Sequence, residues 1–148
     1  MNHNEIWFSI LYVLYQKHYS GYARSGISIS EIVKEGRLEE VDQNILDGEL
    51  VYLKERYLID GQYVLGATAP MDASITSAGI DTVENILNQS IIELENNPTN
   101  EQIIPIEEIK RESSSPSKFK KMWEYAKDNP ELLLNFGEKL ARIFAGLG

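Results

Sequence analysis

The stretch from Val41 to Ile80, VDQNILDGELVYLKERYLIDGQYVLGATAPMDASITSAGI, decides the fold. Its first part has apolar residues at the spacing of a helix with one buried face, namely Ile45, Leu46, Leu50, Leu53 and Tyr57. Asp60-Gly61 is a turn signal that predicts a positive φ at the glycine. Strands are expected over 62–65 and 73–76, with Thr76 as the N-cap of the next helix. The stretch therefore predicts a helix, a two-stranded ribbon and the start of another helix.

The remaining N-terminal segments fit around this unit. Residues 4–18 predict a helix that is buried over most of its circumference, because apolar residues occupy most of its positions. A short strand is expected over 27–29, and Ser28 with Glu31 forms a capping box for a helix through Glu35. Gly36 is expected to end that helix in the left-handed conformation. The central helix should then begin near Leu38 or Val41.

The C-terminal part predicts a change of organisation. A helix is expected from Thr76 to about Asn96, and Pro98 lies just beyond its end. Residues 105–117 lose apolar periodicity and include a serine-rich run, and a linker is predicted over 98–117. Two helical patterns follow, over about 118–127 and 130–145. The expected organisation is a domain over 1–97, a linker over 98–117 and a C-terminal helical extension over 118–148.

Length and composition limit the class of protein. The chain has 148 residues, of which 43% are hydrophobic, and this suits one domain with an appendage. It contains no cysteine, which excludes disulfides and thiolate metal sites and predicts a cytoplasmic location. The apolar run over 6–15 is too short to span a bilayer, so no transmembrane segment is predicted.

The charge is unevenly distributed along the chain. The formal net charge is −9. Residues 1–109 contain 6 Lys and Arg against 18 Asp and Glu, whereas residues 110–148 contain 8 against 5. No Lys, Arg or His occurs from Tyr57 through Ile109. An acidic body with a mildly basic tail follows.

The order of predicted elements over about 5–95 resembles the winged helix-turn-helix superfamily. Leu50-x-x-Leu53-x-x-x-x-Leu58-Ile59 is similar to the third helix of that family running into the first wing strand. Ile75-Thr76-x-x-Gly79-Ile80 is similar to the second wing strand turning into the following helix. The resemblance implies a mainly α fold with a small β-ribbon (α+β), followed here by C-terminal helices.

The same resemblance implies that the third helix enters the DNA major groove and that the wing contacts the backbone or the minor groove. The exposed side of that helix should present Gln43, Asn44, Asp47 and Gly48, and the two amides suit an adenine edge. Residues 37–60, however, contain three basic groups against seven acidic ones. Each carboxylate at contact distance from a phosphate costs about 1 kcal/mol even in water, which disfavours groove insertion.

Two kinds of partner therefore remain open. DNA binding as a transcriptional regulator is the alternative function, and it would use basic residues outside the third helix: Lys34, Arg37, Lys118, Lys120 and Lys121. Another protein is the favoured partner. It would contact the four residues of the third helix together with Met71 at the expected wing tip.

The last helix has an apolar stripe that can pack on its own domain, pair with a second copy or lie on a membrane. We expect packing or a homodimer, because membrane-surface helices usually have a more basic polar face. The resemblance favours a homodimer, since winged-helix proteins often dimerise through extra terminal helices. The expected dimerisation residues are Trp123, Phe136, Leu140, Ile143 and Phe144.

Catalysis has little support in the sequence. The chain has two histidines, and it lacks the H-E-x-x-H and G-x-S-x-G motifs and a glycine-rich phosphate loop. No catalytic residue, metal ligand or cofactor is predicted. The sequence therefore predicts a non-enzymatic, regulatory winged-helix module that acts through protein–protein contacts and homodimerisation.

Overall fold

The structure is a computed structural model that describes residues 1–22, 26–63, 65–66, 70–96 and 105–146. It is mainly helical with a small antiparallel sheet, which confirms the expected α+β class. A π-helical segment, His18–Tyr22, follows the first helix. The other elements are α1 (His3–Lys17), β1 (Ile27–Ser28), α2 (Ile29–Glu35), α3 (Gln43–Glu55), β2 (Ile59–Gln62), β3 (Asp72–Ile75), α4 (Ser77–Glu95), α5 (Ile106–Lys110), α6 (Ser115–Ala126) and α7 (Pro130–Phe144).

The sheet joins three strands in the order β1-β3-β2, and both pairings are antiparallel. Ala73 of β3 lies between Ile27 of β1 and Gly61 of β2. The predicted ribbon is therefore the β2–β3 pair, and the short strand before α2 adds a third strand to it.

The position of β2 corrects the sequence prediction. Asp60-Gly61 is not a turn but part of the strand, which begins at Ile59 and ends at Gln62. Gly61 does not have a positive φ. A glycine is needed here because a β-carbon would lie 2.7 Å from Cβ of Pro70 and 2.8 Å from the carbonyl oxygen of Asp72. Val64 of the predicted strand and residues 67–69 of the predicted wing lie outside the described residues.

Helices α2 and α3 end in the same way, with a non-glycine residue in the left-handed conformation. Arg37 has φ 56° and Tyr57 has φ 62°. In each case the next residue, Leu38 or Leu58, donates its N–H to a carbonyl five positions earlier, as in a Schellman motif. The prediction that Gly36 is left-handed is wrong, since its φ is −84°. Space requires that glycine, because a β-carbon would lie 2.9 Å from the Ile32 carbonyl oxygen.

The start and buried face of α3 also differ from expectation. The helix begins at Gln43, and the Asp42 side chain caps it. Leu46, Leu50 and Leu53 are buried as predicted. Ile45 and Tyr57 are exposed instead of buried. Tyr57 lies beyond the helix end, so the helical spacing no longer determines where it points.

Helix α1 is the centre of the core and packs most extensively on α7. Phe8 of α1 contacts Phe136 of α7 with a ring-centroid distance of 5.1 Å. The Tyr12 hydroxyl donates a hydrogen bond of 2.9 Å to the carbonyl oxygen of Phe119 in α6. Lys139 of α7, which is 8% exposed, pairs with Glu93 of α4 at 2.9 Å. The C-terminal helices therefore pack on α1 and α4.

The prediction of a linker over 98–117 is wrong for residues 105–117, and residues 98–104 lie outside the described residues. Helix α5 buries Ile106 and Ile109. The Ser114 hydroxyl accepts from the N–H of Ser117 and so caps α6. The serine-rich run is a helix N-terminus because serine and proline are favoured there as well as in linkers.

Candidate functional site

The exposed face of α3 lies where the sequence predicted it. Gln43, Asn44 and Gly48 are exposed, and Asp47 is partly exposed. A β-carbon at Gly48 would have no neighbour within 4 Å, so this side of the helix is open. The Gln43 side-chain amide donates to the Asp47 carboxylate at 2.7 Å. One of the two amides expected to read a base is therefore held by a carboxylate.

An acidic cleft adjoins this face. It has a volume of about 790 Å³ and lies between the start of α1 and the α2–α3 connection. Glu39, Glu40 and Asp42 line it, together with the basic residues Arg37 and His3. A phosphate backbone docking here would meet three carboxylates, which disfavours it electrostatically.

Large apolar side chains are exposed in the segments that flank the strands of the β2–β3 ribbon. We use the name ribbon patch for Tyr57, Tyr63, Leu65 and Met71. Leu65 is fully exposed, Tyr57 is 79% exposed and Met71 is 52% exposed. The Lys54 ammonium lies 5.1 Å from the centre of the Tyr63 ring. The sequence identified Met71, but it missed Tyr57, whose exposure follows from the left-handed turn after α3.

The residues predicted to contact a nucleic acid divide into two groups. Lys34, Arg37 and Lys120 line a second cleft, of about 390 Å³, together with Lys17 and Lys127. Lys118 and Lys121 are not among its lining residues, and Lys121 pairs with Glu112 at 2.9 Å. This basic cleft involves α1, α2 and α6, and no residue of α3 lines it.

The predicted dimerisation residues contact other parts of the same chain, in line with the alternative that the last helix packs on its own domain. Trp123 stacks on Tyr12 at a ring-centroid distance of 4.6 Å. Phe136 and Leu140 are buried in the core, and Ile143 packs against it. The Phe144 ring contacts the Trp7 ring edge-on at 5.1 Å. The apolar stripe of α7 therefore covers α1 and does not form a free face.

A buried carboxylate that the sequence analysis missed lies under the N-terminal helix. Glu49 is 6% exposed. It accepts hydrogen bonds from the Trp7 indole N–H and from Nδ1 of His3. Helical periodicity could have identified Glu49, because position 49 falls on the same helical face as Leu46, Leu50 and Leu53.

The described residues contain no group of three or more His, Asp or Glu side chains arranged to hold a metal ion. Among the helices in those same residues, none is both long and apolar enough to cross a bilayer. Comparison of the chain with protein-family models, with curated proteins and with solved structures finds no match.

Proposed function

We propose that this chain is a non-enzymatic module of the winged-helix type that binds another protein. The order of α1, β1, α2, α3, β2, β3 and α4, with β3 between the other two strands, supports this type of fold. The ribbon patch is the observation that carries the proposed function. Segments beside a short ribbon that expose Leu65, Tyr57 and Met71 to water fit a surface that a partner covers.

The charge around α3 supports a protein partner over DNA. Strong DNA binding requires several Lys and Arg contacts to phosphates. Residues 37–60 contain seven acidic and three basic groups. Of those three, Arg37 pairs with Asp128, and the Arg56 guanidinium lies 3.9 Å from the centre of the Tyr52 ring. The matching partner is a protein with an apolar pocket for the ribbon patch and basic residues around it.

The proposal does not include a homodimer through α7, because Phe136 and Leu140 are already buried against the chain's own core. Self-association through the ribbon patch is a different case. A test by sedimentation would detect it as a concentration-dependent mass that Leu65→Ser with Met71→Ser abolishes.

The test compares three immobilised proteins exposed to lysate of the source organism. Leu65→Ser with Met71→Ser disrupts the ribbon patch, whereas Ile92→Ser removes an exposed apolar residue of α4 as a matched control. We expect a protein that the unchanged chain and the control retain and that the patch variant binds at least about tenfold more weakly. The captured protein is then purified and its affinity for each variant is measured.

A second measurement addresses DNA directly. Fluorescence anisotropy with random duplex DNA at low salt should show no binding at micromolar concentrations of the chain. Micromolar or tighter binding that weakens steeply with added salt would favour the DNA-binding regulator instead. Equal retention of every partner by the patch variant and the control would also reject the proposal.

A further inference from the structure

The basic cleft is a concentration of positive charge on an acidic protein. Its lining includes five basic residues, namely Lys17, Lys34, Arg37, Lys120 and Lys127. Two carboxylates, Glu35 and Glu124, are also among the lining residues. The chain as a whole has a formal charge of −9, so this excess of cations is not what its composition predicts. Such a local excess attracts anions.

Ion pairs within the protein engage part of this charge. Lys17 lies 2.9 Å from Glu35, Arg37 contacts Asp128 and Lys127 lies 2.7 Å from Glu124. Lys34 and Lys120 form no ion pair within the described part of the chain, and both are exposed. The cleft therefore has two ammonium groups without a carboxylate partner.

The existing ion pairs do not prevent an anion from entering. Asp128 is 63% exposed and Glu124 is 53% exposed. Exposed ion pairs contribute little to stability, so Arg37 and Lys127 can leave their carboxylate partners and turn toward a ligand. A phosphate group, in contrast, offers these cations three strong acceptor oxygens.

The rest of the lining is suited to a small ligand. Gln16, Ser20 and Trp123 also line the cleft. The Gln16 amide already donates to the Tyr12 hydroxyl at 2.7 Å and to the Pro116 carbonyl oxygen at 3.2 Å. These hydrogen bonds fix the position of the Gln16 side chain in the cleft. A volume of about 390 Å³ is near the lower end for small-molecule clefts. A duplex would need a longer basic surface than these residues provide.

We infer that the basic cleft binds a small molecule with one or two phosphate groups, with Lys34 and Lys120 as its principal contacts. This inference is independent of the protein-binding surface proposed above, because none of the ribbon patch residues lines the cleft. A diphosphate should bind better than a monophosphate because it can engage both free ammonium groups at once.

The test uses inorganic pyrophosphate and the full chain, with calorimetry at constant ionic strength. The test variant is Lys34→Gln with Lys120→Gln. The matched control is Lys110→Gln with Lys118→Gln, which changes the net charge equally at residues that do not line the cleft. We expect the test variant to bind pyrophosphate at least about tenfold more weakly, because it loses two charge-assisted contacts. The control should keep the affinity of the unchanged chain within about twofold.

Fluorescence supplies an independent reading, because Trp123 lines the cleft whereas Trp7 contacts Glu49. Pyrophosphate should change the emission of the unchanged chain and of the control, but not of the test variant. Circular dichroism verifies that all three are folded.

Three results would overturn the inference. The first is no binding of pyrophosphate at millimolar concentration. The second is equal weakening in the test and control variants, which would indicate diffuse attraction to surface charge. The third is binding of random duplex DNA, dependent on the same two lysines and tighter than that of pyrophosphate, which would assign the cleft to nucleic acid.

Discussion

Gly137 of α7 lies against the backbone of Asn4 in α1. A β-carbon at position 137 would come within 2.5 Å of the carbonyl carbon and oxygen of Asn4. The two helices approach closely at this point, and the contact of Phe8 with Phe136 lies in the same interface. The position of the C-terminal helix therefore depends on the absence of a side chain at one residue.

Gly137→Ala should destabilise the protein, because backbone atoms of Asn4 cannot move aside without separating α1 from α7. Overpacking of this kind costs about 1–3 kcal/mol, which urea unfolding measures. Gly48→Ala is the control, since it also lies within a helix but has no neighbour within 4 Å. That control should gain about 0.5–1 kcal/mol. If both variants increase the free energy of unfolding by similar amounts, the close approach of α1 and α7 at Gly137 is contradicted.

Tyr57→Gly should stabilise the free protein by up to about 1 kcal/mol. The residue has φ 62°, a conformation that costs side chains about 1–2 kcal/mol but suits glycine. Little packing is lost, because the Tyr57 side chain is 79% exposed. Thermal unfolding measures the effect.

Tyr63→Gly is the matched comparison for this prediction. Tyr63 is also an exposed tyrosine, but it does not have a positive φ. Replacing it should therefore reduce stability, by about 0.5–1 kcal/mol. If Tyr57→Gly is equally destabilising, the left-handed turn is not strained.

Features that depend on neighbours in sequence could be predicted. The N-caps at Ser28 and Thr76 and the start of α7 at Pro130 depend on residues within one helical turn, and the structure has all three. Gly61 could not be placed, because its requirement comes from Pro70, which precedes β3, and from Asp72 at the start of β3. A dipeptide that is common in turns thus occupies a strand through a contact that sequence spacing does not reveal.

In the candidate surfaces, too, some features follow from local sequence and others depend on contacts between distant segments. The exposure of Gln43 and Asn44 follows from helical periodicity, which needs only the local pattern. The partner of the α7 stripe could not be identified, because α1 is more than a hundred residues away in sequence. The convergence of Lys34 with Lys120 in one cleft likewise depends on the packing of α6 near α2 and α1.

Thr76→Ala should destabilise the protein by about 1 kcal/mol. The Thr76 hydroxyl accepts from the N–H of Gly79 at 3.0 Å and donates to the carbonyl oxygen of Tyr57 at 2.7 Å. It thereby caps α4 and joins it to the turn after α3. Thr82→Ala is the control, because its hydroxyl only bonds to Ala78 within the same helix. Chemical denaturation of both variants measures the difference, and equal losses would exclude a special role for the cap.

Glu49→Met should be less stable than Glu49→Gln by about 1–2 kcal/mol. Glutamine keeps a carbonyl oxygen that can accept from the Trp7 indole N–H, whereas methionine leaves this partly buried donor without its acceptor. Both variants remove the charge, so the comparison isolates the hydrogen bonding of the side chain at position 49 from its charge. Urea unfolding followed by tryptophan fluorescence measures the two values. Equal stability would show that the indole N–H does not need this acceptor.

The buried tyrosines of α1 predict a loss of stability at alkaline pH. Burial raises the pKa of Tyr12 above its ordinary value, and the pKa of Tyr15 is raised by burial and by the Glu84 carboxylate that its hydroxyl contacts. In the unfolded chain both groups lose their protons near pH 10. Above that pH the native state binds more protons than the unfolded state, so the free energy of unfolding falls as pH rises.

Tyr12→Phe isolates the contribution of one of these groups. Below about pH 9 both tyrosines are protonated in both states, so the variant should differ from the unchanged chain by a constant amount. Above about pH 10 the unchanged chain should lose up to about 1.4 kcal/mol per pH unit more than the variant, because one fewer proton is released on unfolding of the variant. Urea unfolding between pH 7 and 11 measures both slopes. Parallel curves over the whole range would mean that Tyr12 titrates alike in the folded and unfolded chains.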